Sequence, residues 1–140
     1  MLDSFGIRPK TDDEKFDVAD VISKVENLST VVKLPGERFG LRGPTSESVY
    51  LVCSNAAQAD RVRDWTGAGN SYERYLGSVG HLQITPDYVL VEQNAPEPVI
   101  EQISALLMPF LKRQPFRVFT EYGEVTDTYA PNPARLFDWQ

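Results

Sequence analysis

The sequence predicts an α+β fold: a single two-layer domain with a mostly antiparallel sheet covered by two or three helices. Three observations predict it. Stretches with apolar residues at helical spacing alternate along the chain with short runs of β-branched residues. Successive strand-like runs within 30–53 and 116–129 are joined by links too short for a parallel crossover, which implies antiparallel pairing. The helical stretches are apolar on one side only, so each needs a sheet face to cover.

In chain order, residues 1–10, MLDSFGIRPK, read as an N-terminal arm ending at Pro9 and Lys10, with the domain over 11–129 and a tail over 130–140. TDDE at 11–14 has the form of a capping box, Thr11 as N-cap and Glu14 three residues on, with Asp12 and Asp13 at the positive end of the helix. Val18, Val21, Ile22, Val25 and Leu28 follow at helical spacing, so a first helix is expected from Asp12 to Leu28. Strands are expected near 30–34, 38–42 and 48–53, with a Pro35-Gly36 turn after the first.

A second helix is expected over Asn55 to Trp65, with a glycine-rich stretch after it and a helix C-cap at Gly67 or Gly69. Tyr72 to Leu76 then reads as surface loop or short edge strand. In HLQITPDYVLVEQ, Pro86 separates a short strand from a stronger one at Tyr88 to Glu92. The third helix takes Pro96 or Pro98 in its first turn and buries a stripe from Val99 to Leu111, with Pro109 expected to kink or end it. FRVFTEYGEVTDTY reads as a hairpin, and the tail APNPARLFDWQ carries Leu136, Phe137 and Trp139, which must dock on the domain or on a partner. LVCSNA at 51–56 echoes LVEQNA at 90–95, an apolar strand end feeding an Asn N-cap each time.

A chain of 140 residues suits one core, with roughly two-thirds of its surface buried on folding. Against 20 Asp plus Glu stand 14 Lys plus Arg, a net charge of -6, with the cations scattered. Nucleic acid is therefore not an expected partner, because its affinity rests on neutralising phosphate. An acidic surface suits a protein partner, a basic one in particular. Cys53 is the lone cysteine, which rules out an internal disulfide framework and multi-cysteine zinc signatures. With no cationic segment leading an apolar stretch, and no run near about 18 apolar residues, the expected state is cytoplasmic, without a membrane partner.

The stretch DWTGAGNSYERYLGSVGH, Asp64 to His81, concentrates four glycines, two tyrosines, a tryptophan and the only histidine. GAGNSY starts like the dinucleotide fingerprint, but Tyr72 stands at the third glycine position and a helix precedes it rather than a strand. No phosphate loop occurs elsewhere, so no cofactor is expected. Cys53 and His81 are the one nucleophile and base pair the composition offers, a thiol between strand and helix being where a lowered pKa can arise. The run YLVCS nevertheless reads as core, and a lone histidine makes no metal face, so neither a catalytic residue nor a metal site is assigned. Glu121, Glu124 and Asp127 flank a turn, where carboxylates usually meet water.

Aromatic residues in irregular segments are favoured anchors of protein interfaces. Tyr72, Tyr75 and Arg74, with Phe137 and Trp139 in the tail, are therefore the expected partner-binding residues. The function expected first is non-catalytic: an intracellular protein-binding module that masks a partner, as inhibitors, immunity proteins and adaptors do. A small enzyme or ligand-binding domain with its pocket near Cys53 and His81 is the alternative, and a self-associating assembly subunit the second.

Overall fold

The β-branched runs form strands and the one-sided stretches form helices. The structure, a computed structural model, describes residues 4–34, 48–92, 95–120 and 123–124. In chain order the elements are β1 (Ser4–Pro9), α1 (Ala19–Glu26), β2 (Val31–Leu34), β3 (Ser48–Val52), α2 (Ala56–Gly67), a 3-10 turn (Tyr72–Tyr75), β4 (Gly80–Ile84), β5 (Val89–Glu92), α3 (Glu97–Arg113), β6 (Phe116–Thr120) and β7 (Gly123–Glu124). The strands make one sheet in the order β2-β3-β4-β5-β1-β6-β7. Every pairing is antiparallel, and the α+β expectation holds.

The period of two along a strand gives the sheet two cores. Val31, Tyr50, Val52, Leu82 and Ile84 join Phe5, Ile7 and Val118 on one face, packed against Val21 and Val25 of α1 and Val99, Ile103 and Leu107 of α3. Their neighbours Val32, Leu34, Val49 and Leu51 point the other way and pack against Ala59 and Val62 of α2, with Cys53 among them. To the sheet with α1 and α3, α2 thus adds a layer on the opposite face of the β2–β3 half.

Three expectations are corrected, and of the two roles expected for Pro109 one is removed. Residues 4–9 are not an arm but a strand inside the sheet, paired with β5 on one side and β6 on the other. Phe5 and Ile7 are buried, and Gly6 lies under the Phe119 ring, where a Cβ would stand 2.0 Å from Phe119 Cζ. Gly6 is there for close packing.

The first helix begins at Ala19, not Asp12. Thr11 and Glu14 close a separate turn, with the Thr11 hydroxyl donating to Glu14 Oε1 at 2.9 Å and Glu14 N–H to Thr11 O at 3.2 Å. Residues 15–18 then alternate exposed and buried in the manner of an extended chain. Phe16 N–H donates to Pro86 O at 2.7 Å and the Phe16 ring meets Phe110 edge-on at 5.3 Å. Anchoring Phe16 and Val18 in the core takes precedence over the helix that the capping pattern favours.

Pro109 does not end α3, which runs on to Arg113. An interior proline costs about 3 kcal/mol. The next two residues, Phe110 and Leu111, are 3% and 7% exposed and contribute about 1.5–3 kcal/mol each, which offsets it. The echo between 51–56 and 90–95 is also only half realised: Asn55 caps α2, accepting from Gln58 N–H at 2.8 Å, whereas the residue that caps α3 is Pro96. Register pairs Thr120 with Gly123, as the expected hairpin requires. The expected strand at 38–42, the Pro35-Gly36 turn and the tail lie outside the described residues.

Candidate functional site

The stretch between α2 and β4 is tied down residue by residue. α2 stops because Gly69 adopts φ +91, a left-handed conformation that suits glycine, while Ala68 and Gly69 N–H close on Asp64 and Thr66 carbonyls at 3.1 and 3.0 Å. The chain then turns back over its own helix. Trp65 Nε1–H donates to Ser71 O at 2.6 Å, and Ser71 Oγ accepts from Glu73 N–H at 3.2 Å, starting the 3-10 turn. Of the two forms expected at Tyr72 to Leu76, surface loop or short edge strand, the strand does not occur: residues 72–75 make a 3-10 turn, because the serine cap holds the backbone in helical rather than extended form.

Tyr72 and Tyr75 lean inward on the α2 side of the sheet, against the cluster of Val32, Leu51 and Val62. Tyr72 Oη lies 3.2 Å from His81 Nδ1, the two rings edge to face, and Tyr75 Oη donates to Arg61 O at 3.4 Å. Ser78 Oγ closes the turn on Tyr75 O at 2.7 Å, and Gln58 Nε2 reaches Ser78 O at 3.4 Å. Both tyrosines are half-buried, so they present edges rather than whole rings to solvent.

Arg74 points the other way. It is exposed, with its guanidinium carbon 4.1 Å from the Trp65 ring centroid and 5.4 Å from that of Tyr75. Leu76, which ends the 3-10 turn, is 55% exposed, the most exposed of the large apolar side chains among the described residues. Trp65 and Leu76 were missed by sequence reasoning. Trp65 reads as the last residue of a helix, although an apolar leucine with no periodic partner in a glycine-rich loop is a signal for Leu76. Of the expected partner-binding residues, Tyr72, Arg74 and Tyr75 come together here, while Phe137 and Trp139 lie outside the described residues.

Cys53 is wholly buried, and burial pushes its thiol up to about 11, the nearby Arg63 and Arg61 pulling the other way without overcoming it. Almost no thiolate is present at neutral pH. Gln102 holds this strand end in place, its amide donating to Cys53 O at 3.0 Å while its carbonyl accepts from Thr30 Oγ1 at 2.8 Å. A depression of about 270 Å³ lies elsewhere, between α1 and α3, lined by Asp17, Asp20, Phe110, Arg113 and Gln114. Its Asp20 is already engaged by Lys24 at 3.2 Å and Arg113 at 3.3 Å. Among the described residues no three His, Cys, Asp or Glu side chains gather to hold a metal ion, and no helix is long and apolar enough to cross a membrane.

Glu124 lies in β7, while Glu121 and Asp127 are outside the described residues. Compared with known families, with curated proteins and with solved structures, the chain matches none.

Proposed function

We propose that the chain is a non-catalytic protein-binding module that masks a protein partner with the surface built by α2 and the 3-10 turn. One observation carries this reading: Leu76 stands 55% exposed at the end of the turn that holds Arg74 and Tyr75, and that turn is braced from both sides by hydrogen bonds. Leucine in water on a braced surface gains free energy when a partner covers it. A braced turn also loses little conformational entropy on binding, and tryptophan, tyrosine and arginine are the side chains that dominate binding energy at interfaces.

Tyr72, Arg74 and Tyr75 form the centre of the proposed surface, and Phe137 and Trp139 are kept in it as aromatic contributors from the tail. Inhibitors, immunity proteins and adaptors act in this way. A reducing, cytoplasmic setting suits a chain with one cysteine.

Affinity capture from the native source tests the reading. Wild-type chain is expected to retain a partner in near-stoichiometric amount, and Leu76→Asp to lose it while keeping the wild-type urea midpoint. Equal retention by both proteins, or a partner retained by neither, counts against this surface.

A further inference from the structure

We infer that Arg74 reads a carboxylate, so that the partner sets an Asp or Glu side chain on Arg74 and an apolar side chain on Leu76. This rests on the protein-binding reading and adds the chemistry of the contact.

Among the described residues, Lys15, Lys24, Lys33, Arg63, Arg113 and Arg117 are each matched to a carboxylate of the same chain. Arg74, like Arg8, Lys10, Arg61 and Lys112, forms no such pair with a described residue, although Glu73 is its neighbour in sequence. Its guanidinium lies instead against Trp65, 4.1 Å from the ring centroid. Stacking on a ring satisfies the flat face of a guanidinium but leaves its N–H donors unmatched. Those donors face water, because the residue is exposed.

The two restraints together select the ligand. A guanidinium held by a ring has lost rotamer freedom before binding, and its fork geometry fits the two oxygens of a carboxylate. An apolar side chain at Leu76 drives water from the edge of that pair, which strengthens it. A run of acidic residues does not fit: Asp64 and Glu73, which precede Trp65 and Arg74 in sequence, are exposed, and the chain carries a net charge of -6. A single carboxylate within an otherwise neutral or basic surface satisfies both the local cation and the overall field.

The test pans a display library of random peptides against the folded full chain and measures affinity for the enriched peptides. Enriched peptides are expected to share one Asp or Glu close to an aliphatic or aromatic residue. Affinity should fall roughly tenfold or more for Arg74→Ala and substantially for Arg74→Lys, which keeps the charge but not the fork. It should also fall when the peptide's carboxylate is changed to its amide. Urea midpoints equal to wild type confirm that the variants are folded.

Enriched peptides that lack a carboxylate, or that bind Arg74→Ala as tightly as wild type yet are lost with Leu76→Asp, overturn the role of Arg74 and leave the protein-binding surface standing. No enrichment, or binding indifferent to both Arg74 and Leu76, overturns both.

Discussion

Gly80→Ala tests the packing of α3 on the sheet. Gly80 begins β4 under the first turns of α3, where an added Cβ would lie 2.6 Å from Ile103 Cδ1 and 2.8 Å from Val99 Cγ1. Carbon atoms settle at about 3.5 Å or more, so the first must retreat by about 0.9 Å and the second by about 0.7 Å. Ile103 Cδ1 can rotate away in part. The Val99 side chain is β-branched on a helix and has one favoured rotamer, so the backbone of α3 must give instead.

Overpacking of this kind costs about 1–3 kcal/mol, and the two contacts together place Gly80→Ala in the upper half of that range. Urea unfolding should show a lower midpoint with an unchanged slope. The sharper measurement is the double variant. Ile103→Val alone costs about 0.5–1.5 kcal/mol, because it deletes a buried methyl group. In the Gly80→Ala background it removes the closest clashing atom, so its cost should fall to about zero or reverse in sign, a coupling of about 1 kcal/mol. Additive losses would refute this account of why α3 sits where it does.

Three further outcomes are expected. Asn55→Ala removes the side chain that accepts from Gln58 N–H and should cost about 1 kcal/mol in urea unfolding, with Asn55→Asp near wild type. Glu26 is held below the usual carboxylate range by hydrogen bonds from Lys33 and Tyr50, as Asp20 is by Lys24 and Arg113 and Asp12 by Arg117. The stability these carboxylates contribute is present above their unfolded pKa and lost as pH falls through the lowered folded values, so Glu26→Gln should flatten the acid limb of the stability curve below about pH 4.5; an unchanged limb would contradict the pairing. Iodoacetamide should label Cys53 slowly at pH 7.5 in the folded chain and rapidly in urea, whereas labelling at the rate of a free thiol before unfolding would show that Cys53 is not buried.

The candidate surface shows where reading along the chain works and where it fails. Tyr72, Arg74 and Tyr75 stand out in the sequence because aromatic residues in a glycine-rich stretch have no periodic place in a core. Their division of labour does not. Tyr72 turns inward because β4 brings His81 beneath it, and Arg74 turns outward because the chain folds back over Trp65. Trp65 falls in the same stretch but is seven residues before Tyr72 on another element, so nothing local sets its ring against Arg74. Cys53 and His81 share an ordinary sequence signal for chemistry, and only the fold reveals that the thiol is buried, which raises its pKa.

By itself the sequence determined the properties that depend on neighbours: the α+β class, the strands at Val31–Leu34 and Ser48–Val52, the Asn55 cap, the stripe of α3 and the acidic charge. These follow from periodicity and capping, which act over a turn or a pleat. Tertiary structure alone decided that Ser4–Pro9 is a strand between β5 and β6, that Phe16 pins residues 15–18 extended against Pro86, and that α3 passes through Pro109. In each case a local preference worth a few kcal/mol at most is outweighed by burying side chains against residues distant in sequence, a term no local pattern contains.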